Sequence, residues 1–181
     1  MTKPLTFITG NQNKADHLAK HLGTEIAHHK VDLDEIQSTD LHAIVEHKVK
    51  QAYEILKTPV LVEDVSLEFT ALGHLPGPFI KFFVENSGLE ACCRMLDGFD
   101  DRSAIGRCTF GYYDGDQVRF FDGELPGKIA LNPRGNNGFG WDKIFIPDGY
   151  TTTRAELDSQ QYGVVYATIK PFGKLKDFLN E

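Results

Sequence analysis

The stretch Pro59-Val60-Leu61-Val62-Glu63-Asp64-Val65-Ser66-Leu67-Glu68-Phe69 decides how the rest of the chain is read. Apolar, β-forming residues follow a proline and run into two adjacent carboxylates, the pattern of a short buried strand with an acidic pair at its tip. Such a strand has no structural use for charge there. Neighbouring residues on extended backbone point to opposite faces, so Glu63 and Asp64 cannot fill one role together. One carboxylate is expected toward a cleft and the other toward a lysine or a metal. Two solvated loop acids after a core strand are the competing reading, and complementary groups elsewhere in the chain must decide between them.

With 181 residues, 41% of them hydrophobic, the chain is long enough for one substantial core and reads as a single α/β domain over residues 1–181. Met1-Thr2-Lys3-Pro4 leads straight toward a strand. No apolar run is long enough for a signal peptide or a membrane span, so a soluble, cytoplasmic protein without membrane partners is expected. Cys92, Cys93 and Cys108 make neither a disulfide framework nor a metal-spacing motif and read as core residues in a reducing compartment. A formal charge of -7 argues against long nucleic acid as a partner. An anionic small molecule stays open, provided lysines and a divalent cation concentrate positive charge locally.

Leu5-Thr6-Phe7-Ile8 reads as a strand, and Thr9-Gly10-Asn11-Gln12-Asn13-Lys14 as a tight loop passing into a helix with Ala15, Leu18, Ala19 and Leu22 as its apolar stripe. Gly23 suits the residue just past its C-terminus. A strand, a small polar loop and a helix N-terminus make an anion site, to which Lys14 adds a point charge. An ordinary turn capped by Asn11 or Asn13 is the alternative. Residues 26–31 read as a second strand, ending in an acidic segment that holds Asp32, Asp34 and Glu35. Asp40 then caps a helix with Ile44, Val45, Val49, Ala52, Ile55 and Leu56 on its buried side and Lys48 beside that face. In open α/β sheets, ligands collect at the C-terminal ends of strands, where both acidic segments fall.

Prolines and glycines between Ala71 and Pro78 force an irregular loop, after which residues 79–86 read as a helix stopped near Gly88 and residues 89–96 as another. Lys81 sits among apolar neighbours, placed to snorkel or to reach back toward the carboxylates or a bound phosphate. Residues 103–113 and 117–122 read as strands around the Asp114-Gly115 turn, a hairpin that carries little chemistry. The glycine-rich run from Asn132 to Asp142 ends in Phe139-Gly140-Trp141-Asp142, followed by a strand at 143–146. Its rings offer a flat face on which a base can stack, with core packing as the alternative.

Phe7-Ile8-Thr9-Gly10-Asn11 through Lys14, Val31-Asp32-Leu33 with Glu35, Leu61-Val62-Glu63-Asp64, Leu75 to Phe83, Phe139 to Asp142 through Pro147-Asp148-Gly149-Tyr150, and Ala155-Glu156-Leu157 occur in this order. In this the chain resembles the inosine/xanthosine triphosphate pyrophosphatase family, house-cleaning enzymes that convert unusual purine nucleoside triphosphates to monophosphate and pyrophosphate. The resemblance implies an elongated two-lobed α/β fold, with a long mixed central sheet flanked by helices, a cleft between the lobes, and a homodimer. It implies that Thr9, Gly10, Asn11 and Lys14 hold the triphosphate, with Lys48 and Lys81 as further contacts. Glu35 and Asp64 would ligate Mg²⁺, Glu63 would support the metal, and Asp64 would activate the attacking water, with Glu63 and Lys14 in the same catalytic set. Phe139 would stack on the base, with Gly140, Trp141 and Asp142 completing that wall.

The chain departs from the family's pattern in two places. Val65 stands beside Asp64 where the family prefers Thr or Ser. Near the C-terminus the family reads the 6-oxo group of the base with a lysine and, a few residues on, Ser-His-Arg; counted from Ala155 without a gap, those places hold Tyr162, Tyr166, Ala167 and Thr168. A site that loses hydrogen-bonding donors loses discrimination, so altered or relaxed base choice is expected with the phosphate chemistry retained. Tyr162 or Tyr166 would supply a stacking face or a hydroxyl. The rival reading is a catalytically silent nucleotide-binding or regulatory protein on the same fold; the retained acids and lysines favour the enzyme.

Overall fold

The computed structural model describes residues 3–181; Met1 and Thr2, part of the expected lead into the first strand, lie outside the described residues. Its strands are β1 (Thr6–Ile8), β2 (Ala27–His29), β3 (Val60–Phe69), β4 (Pro76–Gly77), β5 (Ser103–Tyr113), β6 (Arg119–Ile129) and β7 (Phe145–Pro147). Its helices are α1 (Gln12–Leu22), α2 (Leu41–Leu56), α3 (Ile80–Arg94), α4 (Ser159–Ile169) and α5 (Phe172–Asn180). The sheet runs β2-β1-β3-β5-β6-β7, with β4 added to β3. β1 lies parallel to β2 and β3, while β4 on β3 and β7 on β6 are antiparallel, so the sheet is mixed and the class is α/β.

The chain divides into two compact units, each discontinuous in sequence. The first holds residues up to Asp64, Thr109–Asp122 and Pro171–Glu181; the second holds Val65–Cys108 and Gly123–Lys170. In the first, α1 buries Ala15, Leu18 and Leu22, and the His21 ring stacks on Phe172 of α5 at 4.2 Å. Phe110 packs between Phe7 and Phe172. The stripe of α2 buries Val45, Val49 and Ala52, and Ile8, Val60 and Val62 join the latter two in one cluster. Each valine or isoleucine side chain among them contributes roughly 1.5–3 kcal/mol when fully buried. Val45 presses against Gly111, where an added Cβ would collide with its Cγ1.

In the second unit Trp141 meets Phe145 edge-on at 5.3 Å and lies over Gly106, where a Cβ would come within 2.9 Å of the indole. Arg102 donates to the carbonyls of Cys93, Ile129 and Ala130, satisfying backbone oxygens where these segments meet. Gly88 takes φ 82° and breaks α3 into two runs, which is why the two helices expected on either side of it emerge as one kinked element.

Several local expectations are corrected. β3 does not stop at the acidic pair: it continues through Leu67 and Phe69, both fully buried, so Glu63 and Asp64 lie in mid-strand. Polar residues beyond the pair are satisfied in place, since Ser66 donates to Glu68 and Glu68 pairs with Arg107. Ile55 is 54% exposed, because it sits at the edge of the α2 stripe in the last turn. β6 runs on to Ile129 despite Gly123 and Pro126, its later residues pairing with β7. The strand expected at 143–146 starts later, because Gly140–Lys143 forms a 3-10 turn. Residues 159–169 form α4, although Gly163 and the β-branched Val164, Val165, Thr168 and Ile169 mask the helix in the sequence.

Candidate active site

In the first unit, the loop after β1 is a capped helix start. The Asn11 side chain accepts from the backbone N–H groups of Asn13 at 3.0 Å and Lys14 at 3.4 Å, and the Thr9 hydroxyl oxygen accepts from the Asn11 N–H. Asn11 is thus the cap, and two of the amides that would greet an anion already have a partner. Gly10 is exposed, and a Cβ there would touch the Lys30 chain at 3.1 Å.

From the first turn of α1, Lys14 reaches Glu63, its Nζ 2.9 Å from Oε1 of a carboxylate whose side chain is only 4% exposed. From the middle of α2, Lys48 reaches Asp64 Oδ2 at 2.6 Å and Glu35 Oε1 at 3.1 Å. The adjacent acids of β3 therefore meet lysines from different helices, as alternation along a strand requires. Burial pulls the Lys48 ammonium toward its neutral form, but the charges and hydrogen bonds of Asp64 and Glu35 outweigh it and its pKa rises above 10.5. Glu35 is held in reach by a contact that the sequence did not suggest. Asp34, its neighbour, exchanges two hydrogen bonds with the Gln51 side chain of α2, at 2.7 and 2.9 Å. Val31 and Leu33 anchor the same segment on the apolar cluster beneath.

The second unit holds the other expected residues. Val65 is half-buried in β3, and Lys81 is exposed in the first turn of α3. Phe139 is 59% exposed, whereas Trp141 is a core residue. Of the two readings open for these rings, stacking face or core packing, Trp141 takes the second: its ring packs on Phe145, over Gly106 and beside the Arg154 guanidinium. Asp142 is buried in an ion pair with Arg154, Nη1 to Oδ1 at 2.9 Å, and its Oδ2 accepts from the Tyr162 hydroxyl at 2.8 Å and the Phe139 N–H at 3.0 Å. Gly138 takes φ +73° beside this carboxylate, where a Cβ would collide with it. Gly140 lies at the start of the turn in a positive-φ conformation.

Tyr162 therefore provides a hydroxyl donor, directed at Asp142. Burial, reinforced by the Asp142 charge, raises its pKa well above 10.0, so the phenol stays protonated. Tyr166 is buried at 4% exposure and stacks on Tyr162 at 6.1 Å, so it presents no outward stacking face. Ala167 and Thr168 are exposed on α4, and the Thr168 hydroxyl donates back to the Val164 carbonyl within the helix. Nothing in the sequence singles out Arg154, which follows three threonines with no periodic signal; only its burial beside Asp142 reveals it.

The chain as a whole is similar to known proteins. The chain is 44% identical over 178 residues to an inosine triphosphate pyrophosphatase of Batrachochytrium dendrobatidis, covering 96% of this chain and 93% of that one. It is 42% identical over 182 residues to the protein of the same name from Yarrowia lipolytica, covering 98% and 96%. Among solved structures, a HAM1 protein from Coxiella burnetii superposes with a TM-score of 0.85 at 25% identity, covering 98% of both chains. The Staphylococcus aureus Ham1 protein shares the fold with a TM-score of 0.82 at 24% identity over 98% of both chains. The sequence profile of the Ham1 family matches residues 5–177, from the first strand through most of the last helix, and the chain belongs to that family.

Proposed function

We propose that this protein is a nucleoside triphosphate pyrophosphohydrolase, a hydrolase that cleaves inosine- or xanthosine-type triphosphates to monophosphate and pyrophosphate with relaxed or redirected base choice. The observation that carries the reading is the convergence of Glu35 and Asp64 on one ammonium, with Lys14 and Glu63 paired in the same unit. Family membership and relatives named inosine triphosphate pyrophosphatase support the enzyme class.

The donor set suits Mg²⁺. Two carboxylates, one from the loop before α2 and one from β3, are already drawn to one cation, and both offer hard oxygen ligands. Among the described residues no group of three or more His, Cys, Asp and Glu is placed to hold a metal ion. That is compatible with magnesium, which commonly takes one or two carboxylates and completes its shell with water and substrate phosphates. Glu35 and Asp64 would hold it, with Glu63 supporting them, and when bound it supplies charge neutralisation on the phosphates.

The residues then divide the work. Lys14 and Lys48 offer positive charge to the phosphate chain, and Lys81 is a further candidate contact. Asp64 accepts a proton from the attacking water as the new bond to the α-phosphorus forms and the bond to the leaving pyrophosphate oxygen breaks. Exposed Phe139 offers the base a stacking face.

Pyrophosphate release measured with Mg²⁺ over ITP, XTP, ATP and GTP tests the proposal. Turnover that falls about 10²–10⁴-fold in Asp64→Asn supports catalysis by that carboxylate. Strong preference for ITP and XTP would remove the relaxed-choice part, and nucleotide binding without pyrophosphate from any triphosphate would favour a silent binding protein.

A further inference from the structure

Tyr162, Asp142 and Phe139 form a chain of contacts that ends on the exposed ring. The Tyr162 hydroxyl donates to Asp142 Oδ2 at 2.8 Å, and the same oxygen accepts the Phe139 backbone N–H at 3.0 Å. Arg154 holds the other oxygen at 2.9 Å, its guanidinium carbon 5.1 Å from the Trp141 ring centroid and 5.3 Å from that of Tyr162. Asp142 is nearly buried, so donors from three sides hold it and leave it little freedom to reach outward. Its carboxylate works as a brace, fixing the turn from which Phe139 projects into solvent.

We propose that Tyr162 is a positioning residue for substrate recognition: acting through Asp142, it sets the Phe139 ring, so that a flat aromatic base is held by its face and not by its edge. The inference rests on the nucleotide reading above. Stacking tolerates any base with a π face, whereas hydrogen bonds to a base edge discriminate. The phenol keeps its proton through the neutral range, because burial and the Asp142 charge disfavour the tyrosinate, so Tyr162 stays a hydrogen-bond donor there.

Trp141 is the only tryptophan and lies inside the braced turn, so its fluorescence reports the turn directly. Titrations with non-hydrolysable inosine and adenosine triphosphate analogues, and with inorganic tripolyphosphate as a baseless control, separate the two ends of the substrate. In Tyr162→Phe, which keeps the ring on Tyr166 and Arg154, affinity for both nucleotide analogues is expected to fall about tenfold and by equal factors, from loss of one hydrogen bond to a charged group. Tripolyphosphate affinity stays unchanged. Added to Phe139→Ala, Tyr162→Phe has no further effect, because the ring it positions is gone. Unequal factors between the bases, equal weakening of tripolyphosphate, unchanged nucleotide affinity, or a full Tyr162→Phe effect without the Phe139 ring would each overturn the proposal. A wild-type protein that binds tripolyphosphate but neither nucleotide would overturn the nucleotide reading itself, and this inference with it.

Discussion

Lys48 touches two carboxylates with one ammonium, and that geometry sets its titration. Its pKa is raised above 10.5, so the folded protein keeps this proton where the unfolded chain has begun to lose it. The stabilisation it brings is complete below pH 10.5 and is lost as pH rises through the folded value. Lys48→Met should therefore flatten the alkaline decline of stability, measured by urea denaturation at pH values from 8 to 11; an unchanged alkaline slope would show that the ammonium is not held as described. The same substitution leaves Glu35 and Asp64 facing each other without their shared cation, and like charges so placed repel. Lys14 and Glu63 are a different case, because that carboxylate is almost buried and depends on its lysine for compensation.

α2 carries both lessons of its sequence, a buried stripe on one side and Lys48 beside it. What allows it to lie close to β5 is Gly111, whose missing side chain leaves room for Val45. Gly111→Ala should destabilise the protein by about 1–3 kcal/mol, as overpacking does in a closely fitted core. Adding Val45→Ala should recover part of that loss despite deleting buried atoms, because the collision disappears. Denaturant midpoints of both variants check this, and purely additive effects would sink the close-approach argument.

Pro171–Glu181 completes a unit whose other parts lie far away in sequence. α5 buries Phe172, Leu175 and Leu179, and at roughly 1.5–3 kcal/mol for each fully buried side chain this rivals the net stability of about 5–15 kcal/mol typical of a domain. Deleting residues 171–181 should strip hydrogen-exchange protection from β1, α1 and α2; retained protection there would show that the unit is complete without its last helix. The two sets of candidate residues also follow the division. Lys14, Glu35, Lys48, Glu63 and Asp64 belong to the first unit, and Phe139, Asp142, Arg154 and Tyr162 to the second. Among the described residues no helix is long and apolar enough to cross a membrane.

Neighbouring residues were enough to establish much of this. Asn11 caps α1 and Gly23 ends it in the left-handed conformation, because capping depends on side chains and φ values within a few positions. Alternation along a strand by itself separates the tasks of Glu63 and Asp64. Which lysine each acid would meet was beyond that reach, since Lys14 and Lys48 become neighbours of β3 only when the parallel sheet brings α1 and α2 over it. Phe139 and Trp141, two positions apart in one glycine-rich run, divide into an exposed ring and a core ring for the same reason. Arg154 becomes a partner of Asp142, and Tyr162 a donor to it, only after the chain folds back over this turn. Local conformation follows from short-range sterics and hydrogen bonding, whereas contacts between distant residues are chosen by how well whole elements pack.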